Sequence, residues 1–165
     1  MNLYLMRHGI AVAADEPAVT RDNERPLTPK GVKRLRRAAR GIRRLDVAFD
    51  GILTSPVLRA RQTAEIVASA FDPRPSIITI ESLAPGGSYA SLVADLEKHG
   101  RKTRIALVGH EPGIGELGAR LIGSRHSFEF KKGAVCRIDV DEIPPVGPGD
   151  LRWFLTPKVM TSIKK

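Results

Sequence analysis

The 165-residue chain holds a single cysteine, Cys136, and so has no intrachain disulfide. Its setting, Ala134-Val135-Cys136-Arg137-Ile138, reads as a strand, where the thiol is expected to be buried and to behave as a small hydrophobe. A Cys/His metal centre needs several clustered ligands, and no such cluster is present. No apolar run approaches the roughly 18 to 20 residues of a membrane span. Met1-Asn2-Leu3-Tyr4-Leu5-Met6 meets Arg7-His8 with neither a basic n-region nor an h-region. With a composition suited to a reducing compartment, these shortages lead to the expectation of a soluble cytoplasmic protein. Aromatic residues are only 5% of the chain, so stacking platforms for single-stranded nucleic acid are poor, and no nucleic-acid motif is recognisable. No linker-like stretch divides the chain, which predicts one domain over residues 1–157. A loose tail is expected over 158–165.

Acidic residues are the other shortage. There are 18 against 27 basic ones, a net charge of +9, which invites anionic partners. Much of the excess lies in one segment, where Lys30, Lys33, Arg34, Arg36, Arg37, Arg40, Arg43 and Arg44 have no acidic residue between them.

What is there alternates between strand and helix. Asn2–Met6 is a short apolar strand, followed by a polar, irregular stretch over 9–27 whose length suggests function. Thr28-Pro29 opens a helix, since Thr caps free amides and Pro fits the first turn. Val32, Leu35, Ala39, Ile42 and Leu45 form its apolar stripe, and the basic residues of 29–45 take the other faces. Gly51–Thr54 is a second strand, and Ser55-Pro56 repeats the cap-then-proline signal before a helix reaching Phe71. Ser76–Ile80, a helix from Ser88 through Leu96, Arg104–Val108, a glycine-weakened helix over 113–122, and strands near 134–140 and 151–155 complete the order. This pattern predicts a three-layer α/β/α sandwich with a mostly parallel central sheet.

In such sheets ligands sit beyond the carboxyl ends of the strands. The residues after strands one, two and four should therefore converge: Arg7-His8, Thr54-Ser55 with Arg59 just beyond, and Gly109-His110. Two arginines are rigid, permanently charged forks suited to a phosphoryl group, and helix amides after Ser55 add partial positive charge. A neutral histidine can be a nucleophile, and a second can donate to an equatorial oxygen of the transition state.

Leu5-Met6-Arg7-His8-Gly9, Thr54-Ser55-Pro56-Val57-Leu58-Arg59-Ala60-Arg61-Gln62-Thr63-Ala64 and Val108-Gly109-His110-Glu111-Pro112 together resemble the three motifs of the histidine phosphatase superfamily, which includes the phosphoglycerate mutases. The order and spacing match over nearly the whole chain. Arg25-Pro26-Leu27-Thr28 with Gly31, the short length and Trp153-Phe154-Leu155-Thr156-Pro157 resemble the SixA-type phosphohistidine phosphatases. The resemblance implies a transiently phosphorylated His8, with Arg7 and Arg59 on the phosphoryl oxygens and His110 as the second pocket histidine. It places Arg25 at the pocket edge as a further substrate-binding residue, and favours Arg59 over Arg61 in the second motif. No metal or cofactor is called for, because the arginines neutralise the phosphoryl charge.

One departure bears on substrate. Ester-cleaving relatives carry an acidic proton donor in the loop after the third strand. Here that loop is Glu81-Ser82-Leu83-Ala84-Pro85-Gly86-Gly87-Ser88, and Glu81 comes before the expected position. Glu81 and Asp22 are the weak candidates for such an acid. A phosphohistidine releases an imidazole, which needs less protonation than an alkoxide, and a chain with little room for a roof over its pocket suits a histidine on a protein surface. The reading is thus a phosphatase acting on protein phosphohistidine. A broad small-molecule phosphomonoesterase is the second reading. A non-catalytic module that binds an acidic partner or nucleic acid through the basic helix is the third.

Overall fold

The computed structural model describes residues 1–163. Strand β1 (Asn2–Arg7) shows why the sheet is central. Leu3 and Leu5 enter one apolar cluster while Tyr4 and Met6 enter another, all fully or almost fully buried. Side chains alternate across a strand, so a run that is apolar at every position must be covered on both faces.

The other strands are β2 (Gly51–Thr54), β3 (Ser76–Thr79), β4 (Arg104–Gly109), β5 (Val135–Asp139) and β6 (Asp150–Leu155). They form one sheet in the order β3-β2-β4-β1-β5-β6. The first four are parallel, β5 is antiparallel to β1, and β6 is antiparallel to β5. Helices α1 (Pro29–Arg43) and α2 (Leu58–Ala68) cover the Tyr4 face; α3 (Tyr89–Lys98) and α4 (Gly113–Leu121) cover the Leu3 face. The expected three-layer sandwich is the observed fold.

Local chemistry accounts for the starts of α1 and α3. The Thr28 hydroxyl accepts from Gly31 N–H at 3.0 Å, and the Ser88 hydroxyl from Ser91 N–H at 3.1 Å, each satisfying an amide with no partner inside the helix. Ser55 does otherwise. Helix α2 begins only at Leu58, with Val57 at its cap and no side-chain bond there. Ser55 Oγ instead accepts from Val57 N–H at 3.2 Å and lies 2.8 Å from His110 Nε2. Two glycines of α4 also have a reason: a Cβ on Gly115 would lie 2.5 Å from the Phe128 carbonyl oxygen and one on Gly118 2.6 Å from the Phe128 ring, so only glycine lets that loop approach.

Two expectations need correction. Leu45 lies past the end of α1 and is exposed, because the helix stops before it completes the apolar stripe. The described chain after Thr156 is not loose: Pro157–Ser162 form helix α5, laid on α1 with Met160 fully buried. A six-residue helix is too short to stand alone, but burying one such side chain contributes about 1.5–3 kcal/mol. Residues 164–165 of the expected tail lie outside the described residues.

Candidate active site

The chain enters the sheet at β1, moves outward to β2 and β3, and returns as β4 between β1 and β2. That return sets the ends of β1, β2 and β4 side by side: Arg7 pairs with Gly109, and Thr54 with Val108. The next residues therefore meet. His8 N–H donates to the Gly109 carbonyl at 3.1 Å, and the His8 and His110 rings lie 5.0 Å apart between centroids. Gly9 closes the strand end. A Cβ there would sit 2.4 Å from Leu35 Cδ1 of α1, so glycine is what allows α1 to press against the His8 turn. Gly9 N–H donates to Thr63 Oγ1 at 3.0 Å, and that hydroxyl donates to the Arg59 carbonyl at 2.7 Å. Thr63 thus ties the β1 turn to α2.

Three polar side chains are buried together: His8 is 7% exposed, Arg59 5% and His110 6%. Arg59 Nε–H donates to His8 Nε2 at 3.3 Å. A guanidinium has no lone pair to offer, so Nε2 must be the unprotonated nitrogen. The proton belongs on Nδ1, which lies 2.7 Å from the Gly9 carbonyl. This tautomer leaves Nε2 with its lone pair at the cationic end of the site. Burial, followed by the charges of His110, Arg59 and Arg7, pushes the His8 imidazole down to about 3. Burial and Arg59 push His110 down to about 4. Both rings are neutral near pH 7. Arg7 Nη1 donates to the Phe130 carbonyl at 2.6 Å. The buried Arg7 Nε and His110 Nδ1 have no protein partner among the described residues. Buried polar atoms rarely go unpaired, and phosphoryl oxygens are partners such groups can accept.

The rest of the Arg59 fork is occupied by Asp22, on a 3-10 turn over Asp22–Glu24. Nη1 donates to the Asp22 carbonyl at 2.7 Å and Nη2 to its carboxylate at 3.1 Å. The same carboxylate pairs with Arg25 Nη2 at 2.7 Å, while Arg25 Nη1 donates to the Val12 carbonyl at 3.0 Å. Arg25 is therefore linked to Arg59 through Asp22, with no hydrogen bond to either histidine among the described residues. Beside His110 a cleft of about 550 Å³ opens between α3 and α4, lined by Leu83, Pro85, Tyr89, Glu116 and Arg120 among others.

Residues 3–84 match the family model of the histidine phosphatase superfamily, branch 1. The chain is 30% identical over 159 residues to phosphohistidine phosphatase SixA of Escherichia coli, covering 95% of this chain and 94% of that one. It belongs to the histidine phosphatase superfamily. An uncharacterized Picosynechococcus protein is 41% identical over 140 residues, 82% of each chain. The structure of the protein histidine phosphatase SixA complexed with tungstate superposes with a TM-score of 0.85 at 29% identity, covering 97% of this chain and 99% of that one.

In this histidine phosphatase the structure brings Arg7, His8, Arg59 and His110 together and leaves other candidates apart. Arg61 is exposed, one helical step past buried Arg59. Glu81 is exposed on a 3-10 turn, Glu81–Leu83, and the cleft lining starts only at Ser82. Burial works against the charge on Asp22, but Arg59 and then Arg25 outweigh it and hold its carboxyl below the usual range. It is a carboxylate at neutral pH, with no proton to give. Cys136 is buried in β5 and pushed up to about 12 by burial, an inert thiol.

Two side chains have partners the sequence reading does not give them, although Ser55 is among the residues expected to converge at the strand ends. Ser55 partners His110, and Glu111 Oε1 accepts from Phe130 N–H at 2.6 Å, fixing the loop whose carbonyl holds Arg7. The proximity of Glu111 to His110 in the third motif was the only available signal.

Asp22 also yields a prediction. An arriving phosphoryl group must displace its carboxylate from Arg59, and that carboxylate is 60% exposed, so the bond is weak. Asp22→Asn keeps the backbone carbonyl contact and removes the competing charge. It should tighten tungstate binding by about three- to tenfold by calorimetry. Weaker binding would show that Asp22 orients Arg59 instead.

Proposed function

We propose that this superfamily member hydrolyses phosphohistidine on a protein through a covalent phospho-His8 intermediate. The observation that supports it best is the pairing of a neutral His8 Nε2 with Arg59 Nε at 3.3 Å. That nitrogen is unprotonated at neutral pH, beside a cation that attracts phosphoryl oxygens, and its electron pair passes from the Arg59 N–H to phosphorus as the bond forms. The E. coli relative that covers nearly the whole chain carries the name phosphohistidine phosphatase.

Nε2 attacks phosphorus, and the N–P bond of the substrate breaks. If the substrate ring is protonated on its other nitrogen, it leaves as neutral imidazole and takes no proton from the enzyme. Arg7, Arg59 and His110 hold the phosphoryl oxygens, with Arg25 at the edge, so donors already in place meet the charge of the transition state. Water then attacks phospho-His8. The N–P electron pair returns to Nε2, His8 keeps its Nδ1 proton, and both water protons leave with inorganic phosphate as dihydrogen phosphate. Asp22 stays ionised and Glu81 lies off the cleft, so neither candidate acid of the sequence reading is placed to protonate the alkoxide of an ester; the carboxyls that line the cleft are Glu111, which is tied to Phe130 N–H, and Glu116 on α4.

The test is phosphate release from a phosphohistidine-bearing protein, with p-nitrophenyl phosphate and a sugar phosphate beside it, in the presence of EDTA. Turnover of the N–P substrate should exceed that of the sugar phosphate by about 100-fold or more. Comparable rates would favour the second reading, a small-molecule phosphomonoesterase, for which a cleft of about 550 Å³ beside His110 is large enough. Inactivation by EDTA would count against charge neutralisation by arginine alone.

A further inference from the structure

We propose that the exposed face of α1, together with the Lys131-Lys132 turn, docks an acidic surface of the protein that carries the phosphohistidine. The proposal rests on the function given above and names the chemistry of its partner.

Helix α1 turns Leu35, Ala38, Ala39 and Ile42 into the core. Lys33, Arg36, Arg37 and Arg40 lie on the exposed remainder. At three and four residues apart they form a continuous stripe, and a 15-residue helix spans about 22 Å. Several cations elsewhere have carboxylate partners, Arg104 with Asp50, Arg137 with Asp139, Lys98 with Asp95 and Arg74 with Glu65, and those without one, such as Arg61, Arg101 and Arg125, do not form a run of this length along one helix. Among the described residues, none of the four stripe cations meets a carboxylate.

The fold gains nothing from this arrangement. Lys33 with Arg37, and Arg36 with Arg40, are like-charge pairs four residues apart, which destabilise a helix. The first turn contains no acidic residue and carries Lys30, a cation at the end where the helix dipole favours anions. A solvated surface ordinarily intersperses both signs. An unneutralised stripe is best satisfied by carboxylates on another molecule.

Its position links it to the site. Thr28 N–H donates to the Ile10 carbonyl at 2.9 Å, so α1 starts beside the residue that directly follows the His8-Gly9 turn. On the other side, Gly133 N–H donates to the Arg7 and His8 carbonyls at 3.1 and 3.0 Å. The exposed Lys131 and Lys132 just before it are therefore held at the rim. A Cβ on Gly133 would lie 3.3 Å from Leu35 of α1, so turn and helix adjoin. A protein seated with its phosphohistidine at His8 would reach this surface.

The observations favour a protein over other polyanions. A membrane-binding helix needs an apolar face free for lipid, and that of α1 is already spent in the core. The exposed stripe has no aromatic residue on which a base could stack.

The experiment compares wild type with the triple variant Lys33→Glu, Arg36→Glu, Arg40→Glu. All three side chains are exposed and meet no carboxylate among the described residues, so folding should be unaffected, and circular dichroism checks it. Substrates are a chemically phosphorylated histidine-phosphotransfer domain of strongly negative net charge, and free phosphohistidine. With the acidic protein, kcat/KM should fall about tenfold or more at low salt, through KM, with kcat unchanged. The wild-type value should fall as salt is raised, and the variant's should not. Turnover of free phosphohistidine should be the same for both. Equal kcat/KM on the acidic protein overturns the docking proposal alone. So does a variant that loses only DNA or anionic-vesicle binding. If neither enzyme turns over either substrate, the catalytic reading fails and takes the docking proposal with it.

Discussion

His8→Ala is expected to lower phosphohistidine turnover by about 10⁴-fold or more, because it removes the atom that would accept the phosphoryl group and leaves only binding and charge stabilisation. The substitution should cost little stability. His8 makes one side-chain contact to a neighbouring carbonyl and one to Arg59, and its removal relieves a buried imidazole of desolvation. Rapid-quench labelling gives an independent readout. Wild type should trap an acid-labile, base-stable phosphoryl adduct, and the variant none. The pH profile carries the same message. A nucleophile pushed down to about 3 stays neutral through the physiological range, so no loss of activity should appear between pH 8 and 6 from protonation of His8. In the free protein, His110 at about 4 is neutral there too. A bound phosphoryl anion replaces part of its lost hydration and opposes the charge of Arg59, so its value must rise on binding. Wild-type activity that disappeared with an apparent pKa near 6.5 in kcat/KM would mean that the His8 environment is far more polar than its burial implies.

Arg59→Lys is expected to cost about 100- to 1,000-fold, in spite of the conserved charge. Arg59 makes two kinds of contact from one planar group: Nε–H to His8 Nε2, and the Nη1/Nη2 edge to Asp22, where phosphoryl oxygens would compete. An ammonium is a point charge on a flexible stem and cannot do both at once. Losing a donor fixed in place for the transition state typically costs about 10²–10³. The loss should fall on kcat as well as KM, since His8 loses its orienting partner. Arg61→Lys, on the exposed side of the same helix, is the control and should be within about twofold of wild type. If Arg59→Lys and Arg61→Lys behaved alike, the buried fork would not be the phosphoryl site.

Much of this molecule is legible along the chain. β1 is apolar at successive positions because it is buried on both faces, and α1 carries its apolar residues at helical spacing because one face meets the sheet. Both signals are local, with periods of two and 3.6, so strand and helix order and the three-layer sandwich follow from them. The placement of Arg7, His8 and His110 at strand ends is also local, since each directly follows or ends an apolar run. What adjoined them in space was not legible. Asp22 reaches Arg59 across 37 positions, His110 meets Ser55 across 55, and Arg7 meets Phe130 across 123. No spacing rule links such pairs; they arise only when β4 inserts between β1 and β2 and the 9–27 loop folds over α2. The end of the chain teaches the same lesson in reverse. Polar and short, residues after Pro157 have no local reason to be ordered, yet Met160 finds a place on α1. The sequence by itself determined the order of elements and the chemistry at the strand ends, because both depend on near neighbours; the tertiary structure alone decided which distant groups complete the site, because those contacts exist only once the sheet has closed.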